Sequence, residues 1–110
     1  MTREECLQFL KNAPYGRIIY THHALPAVYP VLFTLDGDLV MFDVERASPI
    51  ADAAGAAVLA FYVDEVDMSR GLARSVTVIG HAHLVDDAHR LSIEPEVVTG
   101  FRTVIGVSPD

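Results

Sequence analysis

Apolar positions recur along the chain in two rhythms. In "TREECLQFLKNAPYG", Cys6, Leu7, Phe9 and Leu10 follow helical spacing, Thr2 and Glu5 stand at capping-box positions, and Pro14 and Gly16 mark a stop. This predicts one short amphipathic helix. The spacing then shortens to that of strands. "GRIIYTHHALPAVYPVLFTLDGDLVMFDVE" predicts three, Arg17 to Thr21, Leu25 to Leu35 and Leu39 to Glu45, with Asp36-Gly37 as a hairpin signal between the last two. "AAVLAFYVDEVD" and "RSVTVIGHAHLVDD" add two strands across the loop "MSRGLA", and "EVVTGFRTVIGV" a sixth. With a second short helix near Ser48, the pattern predicts a mainly β chain folded as a small, six-stranded antiparallel barrel.

The second strand run is apolar on both faces, with Leu25, Ala27, Tyr29, Val31 and Phe33 on one and Val28, Leu32 and two prolines on the other. Such a strand is expected to be covered twice, by the barrel interior and by a helix or another subunit. Pro26 and Pro30 remove two ladder donors, which predicts an edge or irregular portion with free backbone carbonyls.

Composition narrows the function. At 110 residues the chain is expected to form one domain, 1–110, whose apolar surface association would help bury. A formal charge of -7 with scattered basic residues argues against a nucleic-acid partner. No apolar run reaches the roughly 20 residues of a membrane-spanning helix. "MTREECLQFL" lacks a basic-then-apolar signal pattern, so a cytoplasmic location is expected. The lone Cys6, on a helix with no histidine near it in sequence, reads as a small buried apolar residue.

The order of segments gives a resemblance. A helix, "GRIIYT", "LPAVYPVLFTLDGDLVMF", a turn with Ser48, a short helix, an apolar strand ending in acids, "SVTVIGHAHLVDD" and "PEVVTGFR" together resemble the pyridoxamine 5'-phosphate oxidase-like, flavin-binding split-barrel family, in its small members. The resemblance covers nearly the whole chain and implies a six-stranded split barrel with short flanking helices, assembled as a homodimer. It also implies FMN, or in some relatives F420, haem or no cofactor, held in a groove between subunits. By resemblance, the ring wall and backbone contacts map onto Pro30, Val31, Leu32 and Phe33 and onto Phe42, Asp43 and Val44. A flavin ring needs such a flat apolar wall, with backbone donors and acceptors at its polar edge.

The stretch "DVERASPIADAAG" departs from the family pattern. Ala47, Ser48 and Pro49 stand where a Gly-Ser-Lys turn usually holds the phosphate, and Asp43 stands where many relatives carry a basic residue. Ser48 as N-cap and Pro49 as first helical residue leave two readings open, a helix-end anion site supported by Arg46 or a plain cap. A lid segment with a Trp, usual in larger relatives, is replaced by "HRLSIEPEVV".

His81 and His83, two apart on one strand face, form a weak metal pattern that would need a third ligand from His22-His23, Asp86 or Asp87; no metal is expected. No nucleophile triad or paired-carboxylate arrangement stands out. Three classes follow: a flavin-dependent oxidoreductase on a small-molecule substrate, a flavin or small-ligand binding module without turnover, and a cofactor-free split-barrel dimer acting through interaction.

Overall fold

The computed structural model describes residues 1–45, 48–53, 58–85 and 89–106. Helix α1 (Arg3–Lys11) begins at Thr2, whose hydroxyl accepts from the Glu5 N–H while the Glu5 carboxylate accepts from the Thr2 N–H, the capping box read from the sequence. The remainder is one antiparallel sheet: β1 (Gly16–His22), β2 (Leu25–Val31), β3 (Phe33–Asp36), β4 (Leu39–Asp43), β5 (Val58–Asp67), β6 (Leu72–Val85) and β7 (Arg90–Val104), with α2 (Pro49–Ala53) between β4 and β5.

The strand order is β2-β1-β5-β6-β7-β4-β3. The edge strands β2 and β3 are separated by Leu32 alone, so the sheet curls until its two edges meet at that residue. This corrects the expected six strands to seven. The run from Leu25 to Leu35 is broken because its first part pairs with β1 and its second with β4, at opposite ends of the sheet. Pro26 and Pro30 lie on the edge strand β2, where a missing ladder donor is tolerated.

A second correction concerns the last strand, which begins at Arg90 rather than Glu96. A bulge absorbs Pro95: Ile79 pairs with Val97 and Gly80 with Pro95, leaving Glu96 as the extra residue. Gly80 is required there, since a Cβ would lie 1.8 Å from the Glu94 carbonyl oxygen.

Side chains alternate in and out. Inward, Tyr29, Ile18, Phe61, Val78 and Val98 form one cross-strand row, joined in the core by Val31, Phe42, Val44, Ile50, Leu91 and Ile93. Outward, Val28, Ile19, Ala60, Ile79 and Val97 are in register across five strands. That outer row is apolar, and Val28 and Val97 are more than half exposed. The second covering layer expected for β2 is therefore not supplied by the described residues of the chain itself. The turn joining β1 to β2 places His23 and Ala24 at φ of 51° and 63°, the left-handed region that glycine would enter more easily. Among the described residues no helix is long and apolar enough to cross a membrane.

Candidate functional site

The seam where β2 and β3 meet positions the residues assigned from the sequence. Pro30 and Leu32 point outward, Leu32 at 78% exposure, while Val31 is buried. Phe33 is half-buried, edge-on to Phe61 at 4.7 Å between ring centroids, and pairs across the hairpin with Phe42. Phe42 and Val44 lie in the core, and β4 is paired on both sides, with β3 and with β7. As edge strands, β2 and β3 each have one side without a neighbouring strand, and such edges present free N–H and C=O groups.

Beside the seam is a cavity of about 460 Å³, lined by Tyr29, Asp43, Val44, Glu45 and His89. The core-facing parity of β2 brings Tyr29 to it, and the end of β4 supplies the three consecutive residues. The Val44 N–H donates to the His89 carbonyl at 2.9 Å, which ties the end of β4 to the start of β7. His89 Nδ1 is buried with no hydrogen-bond partner among the described residues. A buried polar atom without a partner carries a desolvation penalty.

Asp43 and Arg90 are Cα partners on β4 and β7, and Arg90 Nε donates to Asp43 Oδ1 at 3.1 Å. The acid that departs from the family pattern thus brings a guanidinium to the same junction. Ser48 is oriented otherwise: its hydroxyl donates to the Glu45 carbonyl at 2.6 Å and accepts from the Ala51 N–H at 3.3 Å. At 8% exposure it serves as a cap on α2, and α2 has only five residues. Both readings left open for this turn include that cap, and they differ in what Arg46 and an anion would add. Arg46, the cation assigned from sequence, lies outside the described residues.

The sequence pattern does not single out Tyr29, His89 or Arg90. Tyr29 reads only as part of an apolar face, and nothing in the local pattern of "AHRL" announces that β7 starts at Arg90. The pairing with Asp43 is what brings these residues together. His81 and His83 stand apart from the seam on the outer face, against Glu96 and Glu94, with His83 Nε2 3.7 Å from Glu94 Oε2. No group of three or more potential metal ligands is assembled among the described residues, and Asp86 and Asp87 lie outside them.

A single antiparallel sheet curled until its edges meet, with a cavity at the seam, defines the split-barrel class. The family model of pyridoxamine 5'-phosphate oxidase matches residues 2–102, and the chain belongs to this family. The FAD binding protein from Mycobacterium smegmatis is similar in structure, with a TM-score of 0.84 and 28% identity over 94% of this chain and 95% of that one. Uncharacterized protein Rv0080 of Mycobacterium tuberculosis is 29% identical over 94% of this chain and 84% of its own length. The FAD and Heme binding protein from Mycobacterium smegmatis shares the fold, with a TM-score of 0.72 and 17% identity over 99% of this chain and 74% of that one.

Proposed function

We propose that this chain is a flavin-binding redox protein that works as a homodimer on a small-molecule substrate. The observation that carries the reading is the likeness, along nearly the full length of both chains, to an FAD binding protein of Mycobacterium smegmatis. Support from the chain's own residues lies at the seam. The edges of β2 and β3 around Leu32 offer backbone donors and acceptors for the polar edge of a flavin ring, and Pro30 and Leu32 offer it an exposed apolar surface. His89 lines the adjoining cavity, and its buried Nδ1 has no hydrogen-bond partner among the described residues.

The part of the ligand we assign to the seam is the flavin mononucleotide moiety, which FMN and FAD share. FMN is the cofactor we propose, and the neighbour's FAD makes an added adenylate the specific second reading. A bound flavin supplies electron transfer, so the protein's task is to bind, orient and screen it. Arg90, held by Asp43 at the end of the strand that leads into the turn, is assigned the phosphate. Asp43 keeps the guanidinium in place and has its own charge offset by it. The apolar row from Val28 to Val97 is assigned to the subunit interface, where a second copy would bury it.

Titration of the purified chain with FMN, FAD and riboflavin, followed by quenching of flavin fluorescence and by melting temperature, tests the reading. Saturable quenching with a rise in Tm supports it. Absence of both for all three ligands rejects it in favour of a cofactor-free dimer. Oxidation of NADPH by the flavin-loaded protein then separates a turning-over oxidoreductase from a carrier.

A further inference from the structure

The inward face of the sheet continues past the core. On β5, β6 and β7 the last core row is Val63, Val76 and Gly100, beneath α1, where a Cβ on Gly100 would meet the sulfur of Cys6. Two further rows follow on the same face by the period-two alternation of strands: Glu65, Arg74 and Arg102, then Asp67, Leu72 and Val104. Arg74 and Arg102 are therefore direct cross-strand neighbours. A sheet disfavours like charges in that relation.

Each arginine leans on a carboxylate. Arg74 is 2.7 Å from Glu65 and Arg102 is 3.4 Å from Glu5 of α1. All four side chains are more than two-fifths exposed, and ion pairs in that setting are weak enough to be exchanged for a better-placed anion. The Arg74 guanidinium also lies 5.0 Å from the centroid of the Phe9 ring.

A hollow of about 450 Å³ opens on the hairpin side of this row, with Arg70, Arg74 and Arg102 in its wall beside apolar Leu72 and Val104. Glu65 and Asp67 also line it. The Asp67 carboxylate is turned into its own loop, where Oδ1 accepts from the Ser69 hydroxyl at 2.8 Å and from the Arg70 N–H at 3.2 Å. Among the described residues, no carboxylate lies within ion-pair distance of the Arg70 guanidinium. Three of the chain's eight basic residues thus meet at one hollow in a protein of net charge -7.

We propose that this end of the sheet binds an organic anion with an apolar body, its carboxylate or phosphate bridging Arg74 and Arg102 and its body resting on Leu72 and Val104. Paired guanidinium forks suit both head groups, and a bridging anion relieves the like-charge opposition that separate carboxylates only partly offset. The site is independent of the seam and of the flavin reading.

The test is an NMR titration of the isotope-labelled full chain with phenyl phosphate and with benzoate, against inorganic phosphate and benzyl alcohol. Saturable shifts of the amides of residues 70–74 and 102–104 are expected with at least one organic anion, and whichever binds more tightly identifies the head group. Inorganic phosphate lacks the apolar body and benzyl alcohol lacks the charge, so each should bind about tenfold more weakly or worse. Arg74→Gln and Arg102→Gln should each weaken binding about tenfold. Arg70→Gln, on a loop outside the α1 contact, should weaken it also and serves if a strand variant fails to fold. The proposal is overturned if neither organic anion gives saturable shifts, if the shifts fall elsewhere, or if the folded variants bind as the wild type does.

Discussion

Asp43 on β4 and Arg90 on β7 stand directly opposite each other, joined from Oδ1 to Nε at 3.1 Å, at the rim of the seam. The pair is exposed, with side chains at 46% for Arg90 and 60% for Asp43, so it contributes about 0–1 kcal/mol to folding. Its larger consequence is positional, because it holds a guanidinium at the end of β4, the strand that leads to the turn containing Ser48. Arg90→Ala should leave the unfolding free energy within about 1 kcal/mol of wild type while lowering FMN affinity about tenfold relative to riboflavin, which has no phosphate. Fluorescence quenching gives both constants. Equal losses for the two ligands would remove Arg90 from the phosphate site without touching the flavin reading.

Ser48 makes the opposite prediction. Its hydroxyl is engaged by the Glu45 carbonyl and the Ala51 N–H, so Ser48→Ala should cost about 1 kcal/mol in denaturant unfolding, as loss of a cap does. FMN affinity should be unchanged. A selective loss of FMN over riboflavin in this variant would instead give the hydroxyl a role in phosphate binding.

The bulge between β6 and β7 should be intolerant of a side chain. Gly80→Ala places a methyl group 1.8 Å from the Glu94 carbonyl oxygen, backbone that can move only by disturbing the ladder. A destabilisation of about 3 kcal/mol is expected from urea unfolding. A near-neutral result would mean that the bulge can shift register around Glu96.

The start of α1 carries a pH dependence whose sign is defined. The Thr2 N–H and hydroxyl, followed by the Arg102 guanidinium, hold the Glu5 carboxyl below its ordinary value of 4.5. A carboxyl depressed in the folded state adds stability that is present above the unfolded value and lost as pH falls through the folded one. Wild type should therefore lose stability relative to Glu5→Gln as the pH drops below 4.5. Parallel urea midpoints for the two proteins across that range would count against it.

The outer apolar row should control assembly. Ile79 lies at its middle, in register with Ala60 and Val97. Ile79→Asp puts a charge in the assigned interface while pointing away from the core, so it should convert a dimer to folded monomers, seen by light scattering with an unchanged circular dichroism spectrum. A wild type already monomeric at working concentration would refute the assignment.

Much of this protein is local and was legible in its amino acids. The capping box of Thr2 and Glu5 and the two-faced apolar character of β2 depend on residues close in sequence, and period and turn chemistry express them directly. The family resemblance also rests on the order of such segments. What spacing could not supply was partnership. The break at Leu32 arises because two halves of one extended run pair with strands at opposite ends of the sheet, and no local signal separates them. The last strand is expected from Glu96, yet a bulge opposite Gly80 accommodates Pro95 and lets the strand run from Arg90. That same long-range pairing sets Arg90 beside Asp43, brings His89 to the seam cavity, and aligns Arg74 with Arg102. Sequence by itself determined the order of the helical and strand-forming segments and which faces are apolar. Only the tertiary structure decided which charges meet, because register across a curled sheet is set by the packing of the whole barrel.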